Sequence, residues 1–133
     1  MVKIERSFPA PASLESEAKK VSGSYEQPDV VSRLRKDFHD KCYICELKNL
    51  QNPQVEHLLP HKNGKYPERK FDWNNLFWSC SHCNGIKNQK KYDDGIIDCC
   101  KNDPELMMTF QLKDGKTEIS ARDEHNSMAV RTA

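Results

Sequence analysis

The sequence predicts a small α+β domain that depends on a structural zinc site to complete a thin core. Its 133 residues suit one domain with modest appendages. Hydrophobic residues make up 36% of the chain, whereas a globular chain usually carries roughly 45–50% by a slightly different count. Four of the six cysteines form two Cys-x2-Cys pairs, which is the spacing of zinc ligands. The pattern therefore predicts a metal where apolar burial is insufficient.

The first third of the chain divides into an arm and a helix. Residues 1–28 contain three prolines and few apolar positions, which predicts an N-terminal arm with a partner-docking role rather than core. After it, Val30, Leu34 and Phe38 recur at helical spacing together with Val31. Asp29 stands where an N-cap is expected, so the sequence predicts an amphipathic helix that begins there.

The centre of the chain predicts two short strands followed by a helix. Residues 54–59 form a short predicted strand that ends at Pro60, and residues 76–79 form a second one. The polar stretch 61–72 between them is rich in lysine and is expected to be a loop. Residues 84–91 predict a helix directly after the second cysteine pair.

The last third predicts a β-hairpin. Residues 106–112 and 117–120 flank Asp114 and Gly115, a dipeptide that favours tight hairpin turns. The predicted organisation is thus an arm over residues 1–28, a central domain over 29–100, and a C-terminal hairpin and tail over 101–133.

The two cysteine pairs are the strongest pattern in the chain. Cys42 and Cys45 form the first pair, and 34 residues separate Cys45 from Cys80, which forms the second pair with Cys83. Two such knuckles supply the four ligands of a tetrahedral zinc ion. Four thiolates leave no open coordination position, which predicts a structural rather than a catalytic zinc. His39 and His82 lie near the knuckles and are not expected to be ligands.

The expected cellular compartment and the two remaining cysteines are consistent with a zinc site rather than disulfides. No apolar run approaches the ~18–20 residues of a membrane span, and the first residues lack an apolar leader segment. We therefore expect a cytoplasmic protein without a membrane role, where thiols stay reduced and disulfides are disfavoured. Cys99 and Cys100 predict a buried apolar pair, with a regulatory thiol or spare ligand as the alternatives.

Charge is distributed unevenly along the chain. The formal net charge is only +1, but residues 33–91 hold 12 Lys and Arg against 6 Asp and Glu, while residues 92–133 hold 5 against 9. A basic centre with acidic flanks indicates contact with a polyanion, although ordinary solvated surface gives a similar count.

Between the knuckles lies a histidine and asparagine pattern that suits phosphodiester hydrolysis. Glu56-His57 precedes Pro60, Asn75 precedes Leu76, and Asn84 follows Cys83 directly. A neutral histidine can activate water, and a hard cation held by few oxygens can stabilise the phosphate. Successive strand residues point to opposite faces, so Glu56 and His57 share one site only where the strand ends or twists.

At these residues the sequence resembles the HNH nucleases of the ββα-metal (His-Me finger) fold, in the branch with zinc-binding Cys pairs. The resemblance covers roughly residues 38–91. It implies that His57 is the general base, that Asn75 holds the loop carrying the base, and that Glu56 and Asn84 bind a catalytic Mg²⁺ or Mn²⁺. Asn84 stands where the family usually has histidine, which makes this an H-N-N variant.

Basic residues surround the predicted site in sequence. His61 is the alternative to His57 as the base. If it is not the base, it is a loop residue or an auxiliary ligand. Aromatic residues alternate with the first basic group, which suits backbone contact with base stacking or, equally, packing of the core. The predicted nucleic-acid contacts are Lys62, Lys65, Arg69, Lys70, Lys87, Lys90 and Lys91.

A narrower resemblance extends over more of the chain. The segments Lys3-Ile4-Glu5, Cys42–Glu46, Val55–Pro60 and Trp73–Asn84 are similar to the nuclease subunit of Septu-type bacterial anti-phage systems, related to subunits that accompany some retrons. This implies cleavage of DNA, double-stranded by preference, by an effector that an ABC-type ATPase gates, with a C-terminus shorter than usual in the family. The residues alone also suit RNA, and the alternative function is a non-catalytic zinc module that binds nucleic acid or protein. A thiol redox protein is a third reading of the cysteine spacing.

Overall fold

The computed structural model describes residues 1–133 and contains two separate antiparallel sheets of two strands each and six short helices. The first sheet pairs β1 (Pro53–His57) with β2 (Leu76–Cys80), so that His57 lies opposite Leu76. The second sheet pairs β3 (Met108–Lys113) with β4 (Lys116–Ala121). The helices are α1 (Ser13–Ala18), α2 (Pro28–Asp37), α3 (Pro67–Lys70), α4 (Ser81–Lys87), α5 (Pro104–Met107) and α6 (Ser127–Thr132). None of them is long and apolar enough to cross a membrane.

The amphipathic helix α2 packs against the first sheet. Val30, Leu34 and Phe38 are fully buried, as the helical spacing predicts. The helix begins one residue earlier than expected because Pro28 occupies its first turn, where a missing N–H costs nothing. Asp29 is therefore not the N-cap, and its carboxylate accepts hydrogen bonds from Ser13 at the start of α1 instead.

The N-terminal arm contributes to the core, contrary to the sequence expectation. Ile4 and Leu14 are buried in the same apolar cluster as α2 and the first sheet. The guanidinium of Arg6 donates to the carbonyls of Trp73 and Leu76 at 2.7 and 2.8 Å and lies 4.9 Å from the ring centres of Trp73 and Phe77. Long-range contacts of this kind have no local periodicity, so the sequence pattern did not indicate them.

Two element boundaries in the centre differ from the sequence expectation. Helix α4 begins at Ser81, because the Cys80 sulfur accepts a hydrogen bond from the Cys83 N–H and acts as the cap. It ends at Lys87, and a separate 3-10 turn covers Lys90–Tyr92. The loop after β1 also contains one helical turn, α3.

The C-terminal hairpin forms around the predicted turn. Asp114 and Gly115 both have positive φ, as a tight two-residue hairpin turn requires. The first strand begins only at Met108, because Asp103 caps α5 by accepting a hydrogen bond from the Glu105 N–H and Pro104 favours its first turn.

Candidate active site and zinc site

The four knuckle cysteines lie close enough together to hold one metal ion. The sulfur atoms of Cys42, Cys45, Cys80 and Cys83 are all within 4.8 Å of one another, and Cys45 and Cys80 are 3.9 Å apart. A tetrahedral zinc ion with ligands at ~2.3 Å places its sulfurs about 3.8 Å apart, so the cluster fits zinc with little adjustment. His39 and His82 are not members of the cluster.

The surroundings of the cluster favour the thiolate at Cys42, whereas burial raises the pKa of Cys45 and Cys83. Burial opposes ionisation of Cys42, but the N–H groups of Cys45, Cys80 and Ile44 outweigh it and lower the pKa of Cys42 to about 7. A thiolate is the form that binds metal. The cluster connects the loop before β1 to the end of β2 and the start of α4, so a bound ion would fix the end of the first sheet at which Pro53 pairs with Cys80.

A cleft of about 450 Å³ lies at the end of β1, and none of the four cysteines lines it. It is open to solvent and mostly polar. Its lining includes His57, Asn84 and Lys87 from β1 and α4, and His61 and Lys62 from the loop after β1. The structure thus brings together the predicted base and the predicted ion ligand of α4, although 27 residues separate them in the sequence.

The ring of His57 is held in one tautomer. Its Nε2 lies 3.0 Å from the carbonyl oxygen of Lys70, and because a carbonyl only accepts, Nε2 must carry the proton. Nδ1 is then left with its lone pair. Burial lowers the pKa of His57 to about 4, and the hydrogen bond to Lys70 opposes this only in part. The imidazole is therefore neutral near pH 7 and able to accept a proton.

Asn75 is buried and holds the chain that follows β1. Its Oδ1 accepts from the Leu59 N–H at 2.8 Å, and its Nδ2 donates to the carbonyls of Leu59 and Arg69 at 2.9 and 3.0 Å. It does not line the cleft. Asn75 thereby connects the segment after His57 to the segment that carries the Lys70 carbonyl, so its contact with the site is through the backbone.

Glu56 and Lys87 lie differently from the sequence expectation. Glu56 is buried, and its two oxygens contact the Tyr43 hydroxyl and the Lys87 ammonium, each at 2.6 Å. Burial raises the pKa of Glu56, and the charge of Lys87 offsets this only in part. Glu56 is therefore not a free ligand for a cation, and Lys87 is not a free contact for phosphate.

Asn84 retains an oxygen that a cation could bind. Its Nδ2 donates to Gln54 Oε1, and its Oδ1 accepts no hydrogen bond from the protein. An amide oxygen suits a hard cation such as Mg²⁺, which usually keeps several waters and takes few protein ligands. Of the two expected ion ligands, only Asn84 has a free donor atom.

Two further side chains contact His57 in the cleft. The ring of Tyr25 lies edge-on at 4.5 Å from the His57 ring centre, and that of His61 at 4.8 Å. The Nδ1 atom of His61 is buried without a hydrogen-bond partner. Tyr25 belongs to the segment that the sequence predicts to be an arm, and no motif there indicates its position.

The other predicted nucleic-acid contacts differ in how their side chains are held, and of these only Lys62 lines the cleft. Lys62 forms an ion pair with Asp93 at 2.6 Å. Lys65 and Arg69 lie on the Tyr66 ring, at 5.5 and 4.0 Å from its centre. The ammonium of Lys70 lies 5.3 Å from the centre of the Phe71 ring. Lys90 and Lys91 are exposed in the 3-10 turn that follows α4.

The vicinal cysteines lie outside the metal cluster. Cys99 is buried and Cys100 is half-buried. The Arg6 guanidinium donates to the Cys100 sulfur at 3.4 Å. A hydrogen bond between the two thiols, together with burial, raises the pKa of Cys99, and the same bond, aided by Arg6, lowers that of Cys100. The pair packs against the core, and both members are attached to the arm, because the Cys99 carbonyl also accepts a hydrogen bond from the Ile4 N–H at 2.9 Å.

Comparison with known proteins shows a partial similarity. The chain is 34% identical over 64 residues to the Septu protein PtuB of Bacillus thuringiensis. The matched segment covers 46% of this chain and 24% of that protein, so this chain spans about a quarter of the length of the curated relative that it matches. No protein-family model matches the chain, and no solved structure matches it.

Proposed function

We propose that this protein is a metal-dependent HNH endonuclease that hydrolyses DNA phosphodiester bonds as the effector of an anti-phage defence system. The observation that supports the reaction most directly is the state of His57. Its Nε2 is occupied by the Lys70 carbonyl, it is neutral near pH 7, and it lines a polar cleft beside Asn84. The similarity to a Septu protein supports the defence role.

The roles of the residues in the proposed reaction follow from this geometry. His57 Nδ1 accepts a proton from a water molecule, the resulting hydroxide attacks phosphorus, and the bond from phosphorus to the leaving oxygen breaks. The Lys70 carbonyl stabilises the protonated imidazole. A bound Mg²⁺ or Mn²⁺ supplies charge neutralisation at the phosphate and at the leaving oxygen, and Asn84 is the residue with a free oxygen for it.

The order of strand, strand and helix is consistent with a ββα-metal core. The elements β1, β2 and α4 occur in this order, with α3 in the loop between the two strands, and residues of β1 and α4 line the same cleft. In this proposal the four-cysteine cluster binds zinc and stabilises that unit, while the second cation acts only in the reaction. The proposed effector works with an ABC-type ATPase, as the sequence resemblance implies.

The decisive experiment measures plasmid cleavage with Mg²⁺, Mn²⁺ or EDTA, with and without a neighbouring ATPase. His57→Ala is expected to lower the rate about 10²- to 10⁴-fold, the usual effect of losing a general base, while fold and zinc content stay unchanged. His125→Ala is the matched control, because its side chain is 89% exposed and lies outside the cleft. Cleavage by His57→Ala at the parental rate would refute the assignment.

A second candidate function has one observation in its favour. The carboxylate of Glu56, an expected ion ligand, is already occupied by Lys87 and Tyr43, as a non-catalytic zinc module would allow. That function predicts nucleic-acid or protein binding without cleavage in any divalent ion. It also predicts that loss of His57 or Asn84 leaves the binding unchanged.

A further inference from the structure

We propose that Lys87 is a positioning residue that fixes the end of β1, and with it His57, through a buried network with Glu56 and Tyr43. The consequence for cleavage rests on the proposed nuclease function, whereas the positioning itself does not. Lysine in this region of the sequence suggests contact with phosphate, but the contacts of Lys87 are all internal.

The three N–H donors of the Lys87 ammonium are all used within the protein. Nζ donates to Glu56 Oε1 at 2.6 Å and to the backbone carbonyls of His57 and Leu58, both at 2.9 Å. An ammonium has only three donors. Because the side chain is 7% exposed, Lys87 has neither a free donor nor the access that a phosphate contact requires.

Glu56 connects this lysine to the first cysteine knuckle. Its second oxygen accepts a hydrogen bond from the Tyr43 hydroxyl at 2.6 Å, and Tyr43 lies between Cys42 and Cys45. The backbone N–H of Tyr43 also donates to the Trp78 carbonyl of β2 at 2.9 Å. The network therefore joins the knuckle, both strands and α4 at one buried point.

The backbone around His57 is consequently held from two sides. Lys87 binds the carbonyls of His57 and Leu58, while Asn75 binds the N–H and the carbonyl of Leu59. The His57 ring can keep its hydrogen bond to the Lys70 carbonyl only while this segment stays in place. Since a displacement of about 1 Å at a reacting group can lower a rate about 100-fold, loss of the Lys87 contacts should affect turnover more than binding.

The first test separates positioning from phosphate contact by the salt dependence of DNA binding. A lysine that neutralises one phosphate contributes about 0.9 to the slope of log K against log salt concentration. The double variant Glu56→Gln with Lys87→Met is expected to keep the parental slope, whereas Lys90→Met, at an exposed lysine that follows the same helix, is the matched variant for a surface contact and can lower it. A slope that falls by about 0.9 in the double variant would overturn the proposal.

The second test removes the charge penalty, so that misfolding cannot explain the result. Lys87→Met alone leaves a buried carboxylate unpaired, which is strongly destabilising, but Glu56→Gln with Lys87→Met removes both charges and keeps a partner for Tyr43. This double variant is expected to fold with bound zinc, to bind DNA as the parent does, and to have a kcat lowered about 10- to 100-fold.

A readout without cleavage distinguishes this proposal from the proposed function. NMR of the His57 ring is expected to show a changed Nε2–H signal in the double variant, because the Lys70 carbonyl is no longer aligned with Nε2. Parental ring signals in the double variant, or a parental kcat, would overturn the positioning role. If the parent itself does not cleave DNA, the nuclease proposal fails, and the ring signals still decide this one.

Discussion

Replacement of Asn75 by alanine tests how the segment that carries His57 is held. The variant loses three hydrogen bonds, two to Leu59 and one to the Arg69 carbonyl. Each contributes about 1 kcal/mol net, so the free energy of unfolding should fall by about 3 kcal/mol. For a chain of this size, that corresponds to a decrease in Tm of about 10 °C.

The neighbouring residue provides a matched control. Asn74 is exposed and its side chain makes no hydrogen bond within the protein, so Asn74→Ala should change the free energy of unfolding by less than about 0.5 kcal/mol. Urea unfolding followed by circular dichroism measures both variants. Equal stabilities of Asn74→Ala and Asn75→Ala would refute the argument that the buried amide holds this segment.

Two further predictions concern the zinc site and pH. Removal of zinc by a strong chelator should abolish cooperative unfolding, because metal binding contributes ~10–16 kcal/mol against a total stability of ~5–15 kcal/mol. The measurement is the release of about one zinc per chain together with the exposure of four reactive thiols. An unchanged Tm after chelation would contradict the prediction. Burial lowers the pKa of His57 to about 4 in the folded protein, against ~6.5 when unfolded. As the pH falls, the unfolded chain therefore protonates at His57 before the folded protein does. The contribution of neutral His57 to the free energy of unfolding is complete above pH ~6.5, and about 3 kcal/mol of it is lost as the pH falls to ~4. Urea titrations across this range should show a steeper loss for the parent than for His57→Ala, and parallel curves would contradict the shift.

Local patterns in the sequence were sufficient for several elements of the fold. The helical spacing of Val30, Leu34 and Phe38 places them on one buried face. Asp114-Gly115 forms the hairpin turn because its conformational preference is local. The two Cys-x2-Cys pairs predict a shared site, and their sulfur atoms do converge. In each case, the deciding interactions are either between residues close in the sequence or among the ligands of one metal site.

Contacts over long sequence distances account for what the sequence pattern missed. Tyr25 lies 32 positions before His57, and the arm residues Ile4 and Leu14 reach the core without any periodic pattern. Asp29 has the right type and position for an N-cap, but Ser13 competes for its carboxylate. Side chains of this kind are placed by tertiary packing, which overrides local preference.

The sequence by itself singled out the residues on which the proposed function rests: the four cysteines, His57, Asn75 and Asn84, in an order and spacing that predict a zinc-stabilised candidate site. Only the tertiary structure decided how two charged residues of that region are used. Glu56 and Lys87 each suit a ligand by residue type, yet burial leaves a charge stable only beside its opposite, so they pair with each other. Their pairing depends on the approach of α4 to β1, which no spacing along the chain records.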